Sequence, residues 1–279
     1  QAGSGGEGAP CARAGPRRPD DGEAAMYHDF DWAAAPLSSQ EAPIAAGAAY
    51  LLTVFGLPYI VPTGGIKGVG LKVVLAVHNL LLSAISLVLF SGCLLEMVGR
   101  ARREGGAEWM FCEAPSAKAQ GPLYFWSYMF YISKYYEMVD TVLALLRDSK
   151  PPHLWLHIYH HALVPIVVWN WLEHRTTLQF PGLLWNTFVH VVMYFYYFCK
   201  LVNWPTPWKK NVTRLQIIQF VSSVGFMIVT LTYIWGDVLG SRCAGLRSMW
   251  GNLVFNMTLL WQFVGVLRTP GKGGHSKKA

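Results

Sequence analysis

Three imidazoles share one short stretch, His157-Ile158-Tyr159-His160-His161. Positions i, i+3 and i+4 of an α-helix fall on one face, so this spacing presents all three rings together. An imidazole can move protons near neutral pH, accept an acyl group as a nucleophile, or ligate a transition metal. The same stretch then runs apolar through Ala162-Leu163-Val164-Pro165-Ile166-Val167-Val168-Trp169. Histidines at the end of such a helix are costly in a lipid setting and mark function by default.

Other polar residues interrupt apolar sequence in the same way. Lys134, Glu137, Asp140 and Thr141 follow one another at steps of three and four or one. A lysine and two carboxylates at helical spacing can neutralise one another, which accounts for their being tolerated. Asn186, His190, Tyr194 and Tyr197 form a stripe with Met193 beside it. A lone buried histidine is more often a satisfied core residue than a catalyst, yet His190 has Asn186 at i−4 and Tyr194 at i+4 as partners. Thr213, Gln216 and Gln219 repeat every three residues, and interhelical hydrogen bonding is their ordinary use. His78-Asn79 opens another apolar segment.

The elements that position these groups are membrane helices. The chain of 279 residues is 53% hydrophobic and only 14% charged, against about 25% charged in soluble domains. With roughly 20 residues needed per span, seven segments qualify: 43–63, 71–97, 122–146, 154–173, 180–201, 213–236 and 247–268. The expected fold is an all-α polytopic membrane protein. An odd count puts the termini on opposite faces. The C-terminal face gathers Lys67, Lys72, Arg147, Lys150, Lys200, Lys209, Lys210, Arg214 and Lys272, against Arg100, Arg102, Arg103, Lys118, Arg175, Arg242 and Arg247 on the other. This bias makes the C-terminal face cytosolic. All five polar clusters then fall in the cytosolic half of the bilayer, which predicts one polar cavity there.

Cys93 and Cys199 read as packing residues. Cys112 and Cys243 both fall on the N-terminal face. An oxidising lumen on that face permits a Cys112–Cys243 disulfide; two unpaired thiols on neighbouring loops is the other reading. The sequons at Asn211 and Asn256 would face the cytosol or lie inside a span, so neither is expected to carry a glycan. Residues 1–42 read as a disordered tail, with Met26 as an expected native start and 1–25 as a leader or added segment. Residues 43–268 form the membrane domain and 269–279 a basic cytosolic tail. The net charge of +7 has no basic stripe on a soluble domain, which excludes nucleic acid.

Lys134-Tyr-Tyr-Glu137-Met-Val-Asp140-Thr141 fits KxxExxDT, His157 to His161 fits HxxHH, His190-Val-Val-Met193-Tyr194-Phe-Tyr196-Tyr197 fits HxxMYxYY, and Thr213-Arg-Leu-Gln216-Ile-Ile-Gln219 fits TxxQxxQ. In this order the chain resembles the fatty acid elongase (ELO) family over about residues 43–268. The resemblance implies seven transmembrane helices of the endoplasmic reticulum, six of them around a closed-end substrate tunnel, with a lumenal N-terminus and a cytosolic C-terminus. It implies a 3-oxoacyl-CoA synthase: acyl-CoA and malonyl-CoA give 3-oxoacyl-CoA, CO2 and CoA. It also implies no bound cofactor or metal, and reductase and dehydratase enzymes as partners in the cycle. The route it implies passes through an acyl-imidazole. We assign the nucleophile to His160, with His161, His157 and His190 orienting, donating or shuttling protons. Glu137 and Asp140 would hold imidazoles in the needed tautomer. Lys134 and Asn186 would contact substrate or oxyanion, and Tyr194, Gln216 and Gln219 would support the site. Lys200, Lys209, Lys210, Arg214 and Lys272 are available to CoA phosphates, or serve only as topology charges.

Three other readings compete. A cysteine-nucleophile condensing enzyme needs a cysteine with the polar set, and only Cys199 comes near it. A di-iron membrane desaturase or hydroxylase also carries HxxHH, but resembles its relatives in having about eight ligating histidines. This chain has nine, of which His28, His174 and His275 lie in tails or toward the other face. A seven-span transporter or receptor has no need of clustered imidazoles beside a Lys-Glu-Asp set. The terminal Lys277-Lys278-Ala279 is a degenerate dilysine signal, so placement in the endoplasmic reticulum follows from the resemblance. Acyl chain length is not readable from these residues.

Overall fold

The structure, a computed structural model, describes residues 27–147, 154–236 and 243–268. Its helices are α1 (Glu41–Gly56), α2 (Val69–Glu104), α3 (Pro122–Glu137), α4 (Val139–Leu146), α5 (Leu154–Glu173), α6 (Gln179–Leu201), α7 (Lys209–Trp235) and α8 (Leu246–Arg268). Single 3-10 turns lie at Trp32–Ala34, Leu57–Tyr59 and Glu108–Met110. The described residues contain no strand, only an isolated bridge between Asp31 and Gln120.

Each expected span falls on helix over most of its length, and the one expected over 43–63 leaves helix after Tyr59. Three helical stretches, Glu41–Tyr59, Val69–Glu104 and Lys209–Trp235, are long and apolar enough to cross a membrane on length and composition. The others are shorter or more polar for a reason visible in their sequences. The expected span 122–146 is divided, because α3 stops at Glu137 and α4 starts at Val139. α5, α6 and α8 carry His157, His160 and His161, Asn186 and His190, and Asn252 and Asn256 respectively, which lowers their apolar average. Helix ends follow local rules. Pro122 opens α3 behind Gly121 at φ 81°. Gly105 closes α2 in the left-handed region at φ 72°, with Arg102 and Arg103 in the last turn complementing the helix dipole.

Helix pairs in contact close a cycle: α2 on α3, α3 on α5, α5 on α8, α8 on α7, α7 on α6, and α6 back along α2. α1 packs outside this cycle against α5. A Cβ added to Gly47 of α1 would stand 3.2 Å from the carbonyl oxygen of Ala162 in α5, so the small residue sets that approach. The largest buried apolar cluster joins Leu89, Phe130, Val168, Leu183, Phe220 and Leu259, one from each of the six helices of the cycle. Lipid tails are as apolar as these side chains, so close packing, rather than escape from water, holds them together.

One end of the bundle is stapled, where α2 and α5 finish and α3, α6 and α8 begin. Cys112 and Cys243 form a disulfide there. Arg100 donates to both oxygens of Glu113 at 2.6 and 2.8 Å. The backbone N–H of Ala244 donates to the Glu113 carbonyl at 2.8 Å, and that of Thr177 to the Ala244 carbonyl at 3.2 Å. The tail boundary expected at residue 42 moves. Phe30 and Trp32 are buried, the Trp32 indole donates to Glu173 at 2.9 Å, and the Tyr27 hydroxyl donates to Glu96 at 2.6 Å. Two large aromatic rings in a polar segment found a core to fill. The rest of the expected tail, residues 1–26, and the whole of 269–279 lie outside the described residues.

Candidate active site

α5 carries His157, His160 and His161 in its first two turns. The His157 and His161 ring centroids lie 4.4 Å apart and those of His160 and His161 5.3 Å apart, so the i, i+3, i+4 spacing gathers the rings as expected. His160 also stacks on Phe255 of α8 at 6.2 Å. His157 Nε2 and His161 Nδ1 are buried and have no hydrogen-bond partner among the described residues.

The break between α3 and α4 splits the carboxylates. Lys134 and Glu137 stay on α3 and are almost wholly buried, 0% and 2% exposed. Lys134 Nζ donates to Glu137 Oε1 at 2.7 Å and to Asn186 Oδ1 at 3.0 Å. It also stands 4.0 Å over the Phe130 ring. Glu137 Oε1 is 3.8 Å from His190 Nδ1, an ion-pair distance but not a hydrogen bond. On α4, Asp140 turns away from that pair. Its Oδ1 lies 2.6 Å from His78 Nε2 and its Oδ2 accepts the Tyr194 hydroxyl at 2.7 Å. The imidazole that Asp140 holds is thus His78 of α2 rather than a ring of the α5 box. His78 Nδ1 in turn lies 3.0 Å from the Tyr136 hydroxyl. Thr141 faces outward to Tyr50 of α1, hydroxyl to hydroxyl at 2.7 Å. The four residues of this motif therefore serve different partners, although the backbone at Met138 keeps helical angles, φ −59° and ψ −25°.

A cavity of about 1430 Å³ lies within the helix cycle. It is lined by His157, His160, His161, Asn186, His190, Met193, Tyr194, Tyr197, Gln216 and Gln219, and by Asp140. Gln216 donates to the Met193 sulfur at 3.3 Å, tying α7 to α6. Lys200, Lys209, Lys210 and Arg214 also line it. They sit where α6 ends and α7 begins, so this end is basic. Toward the stapled end the lining turns apolar, with Trp171, Leu178, Gly182, Phe226 and Met249. Lys134 and Glu137 stand behind the wall and reach it through Asn186. Lys272 lies outside the described residues. Cys112 and Cys243 belong to the staple, away from the histidines.

His78 and Asn79 line the same cavity and are buried. Their sequence gave them a place among the polar clusters but no role, because His78 belongs to no spaced motif of its own and its partner Asp140 is 62 residues distant. One group among the described residues has the donor set of a metal site: Asp140, His157 and His161, each offering a ligand atom within 4.8 Å of the others.

The profile of the ELO family, described as GNS1/SUR4, matches residues 35–267. Fatty acid elongase sre1 of Dictyostelium discoideum is 36% identical over 71% of this chain and 74% of its own length. Fatty acid elongase A of the same organism is 32% identical over 83% and 82%. Fatty acid elongase 3 of Trypanosoma cruzi is 35% identical over 43% and 39%. The match spans 63% to 82% of the length of the first three relatives. A family match over most of the chain, with its polar motifs gathered on one cavity, makes this membrane protein a member of the ELO family.

Proposed function

We propose that the protein is a condensing enzyme of fatty acid elongation, a 3-oxoacyl-CoA synthase that joins acyl-CoA to malonyl-CoA. The observation that carries this reading is the course of the cavity, from a basic end past five histidines into an apolar interior. Drug-sized ligands occupy about 300–1,000 Å³, so a volume of about 1430 Å³ suits a long acyl chain with a large head group. Lys200, Lys209, Lys210, Arg214 and Lys272 would meet the CoA phosphates. The chain end would lie toward Trp171 and Gly182.

In the first step a nitrogen of His160 attacks the thioester carbon of acyl-CoA. The C–S bond breaks, the CoA thiolate leaves and takes a proton, and an acyl-imidazole remains. In the second step malonyl-CoA loses CO2 and its α-carbon attacks the acyl carbonyl carbon. The C–N bond then breaks and His160 regains its lone pair, releasing 3-oxoacyl-CoA. Covalent catalysis of this kind splits one difficult transfer into two easier ones. His157, His161 and His190 stand close enough to manage protons, and donors around the developing oxyanion lower both barriers. Asn186, held by Lys134 at 3.0 Å, is our choice of oxyanion or substrate contact. The Tyr194–Asp140–His78 chain holds the carboxylate that faces His157.

The same reading takes the seven helical segments as seven spans, with six around a closed-end tunnel. It places the protein in the endoplasmic reticulum with the staple lumenal and the basic end cytosolic. Reductase and dehydratase enzymes would act on its product, and no bound cofactor is called for. Detergent-purified protein given a panel of acyl-CoAs and labelled malonyl-CoA should release labelled CO2 and form a 3-oxo product two carbons longer. Absence of both with every acyl-CoA would defeat the reading.

A further inference from the structure

We propose that Asp140, His157 and His161 form a binding site for a divalent transition-metal ion of the zinc class. The three residues each offer a ligand atom within 4.8 Å of the others. His157 and His161 are four residues apart on α5, so one helix face fixes their bite. His157 Nε2 and His161 Nδ1 are buried without a partner, and His161 is only 4% exposed. A buried imidazole nitrogen left unpaired is unfavourable, and a bound cation would offset that cost.

The surroundings of Asp140 have the form found behind metal-ligating carboxylates. Its two oxygens are oriented by His78 Nε2 at 2.6 Å and the Tyr194 hydroxyl at 2.7 Å. An ionised carboxylate has about four acceptor positions, so each oxygen keeps a lone pair for a metal. Such outer partners fix the ligand and tune its basicity. Two imidazoles and a carboxylate select zinc, cobalt or nickel over magnesium or calcium, which prefer oxygen alone. All three residues line the cavity, and three protein ligands leave a fourth position open toward it, the pattern of accessible rather than closed zinc sites. His160 is not among the donors. Zinc takes bonds of roughly 2 Å to such donors, so the three side chains close in on the ion from separations of up to 4.8 Å.

An ion held here engages the lone pairs of His157 and His161 and stops their proton work. Reversible inhibition by micromolar zinc is the consequence, and that consequence rests on the condensing reading; the binding does not. The test is a titration of the full-length, detergent-purified chain with Co2+ alone, followed by visible absorption without substrate. One Co2+ per chain is expected, displaced by Zn2+. His157→Gln and His161→Gln should each weaken binding at least about tenfold, whereas His160→Gln removes one imidazole from the same helix and should leave it within about threefold. Carbethoxylation mapping of the unsubstituted protein adds a measurement that needs no variant: Zn2+ should protect His157 and His161 and leave His160 reactive. Lack of saturable one-to-one binding, or equal loss with His160→Gln and His157→Gln, would overturn the site, as would protection of His160.

Discussion

At the residue scale, the buried pair Lys134–Glu137 and the pairing of Asp140 with His78 are most telling. The helical spacing of Lys134 and Glu137 made their mutual neutralisation legible, and they lie 2.7 Å apart. Removing one partner leaves a buried charge uncompensated, at a cost of about 3–5 kcal/mol. Lys134→Met should therefore lower the thermal unfolding midpoint in detergent sharply, and Lys134→Met with Glu137→Gln should recover part of the loss. A double variant no better than the single one would contradict the pairing. The Asp140–His78 pair was not legible, because it joins residues 62 positions apart. Only the tertiary fold, with α2 packed along α3 where it leads into α4, brings them together.

At the element scale, apolar segments of about membrane length gave the helices, and their centres agree with the structure. The break at Met138 left no such trace. Tyr136-Glu137-Met138-Val139-Asp140 contains neither glycine nor proline, so nothing in its local chemistry marks an interruption. The backbone at Met138 stays helical, at φ −59° and ψ −25°, so Glu137 and Asp140 reach different partners from neighbouring directions on one helical path. Glycines decide helix approach in the same indirect way. A Cβ on Gly92 of α2 would stand 2.2 Å from the Trp126 ring of α3, whereas one on Gly225 of α7 meets nothing within 4 Å. Gly92→Ala should destabilise by about 1–3 kcal/mol through overpacking. Gly225→Ala should be neutral or stabilise by up to about 1 kcal/mol through helix propensity. Chemical unfolding of the two variants in one detergent checks the contrast, and equal effects would contradict the α2–α3 contact.

At the scale of the whole molecule, one end is fixed and the other is basic. The staple joins residues 131 apart through Cys112 and Cys243, beside the Arg100–Glu113 pair. Replacing both cysteines with serine should cost about 2–4 kcal/mol and lower the melting temperature, and the mobility shift between reduced and unreduced samples of the unsubstituted protein should vanish in the variant. An unchanged melting temperature would show that the hydrogen bonds around Glu113 hold this end unaided. The cavity was legible in outline, since the polar clusters fell into one half of the expected bilayer. Its apolar end, formed by Trp171, Gly182 and Phe226, was not, because those residues look like ordinary lipid-facing or core positions until the helices close their cycle.

In the proposed route His160 carries the acyl group between two half-reactions. Incubation with acyl-CoA alone, without malonyl-CoA, isolates the first of them. The account predicts release of about one CoA thiol per active chain, in step with covalent catalysis in two stages. It also predicts an acyl mass increment on the peptide containing His160, discharged when malonyl-CoA is added. His160→Ala should lose the increment and the release while keeping its elution volume and melting behaviour. CoA release in the His160→Ala protein, or an increment mapped to another residue, would contradict the assignment directly.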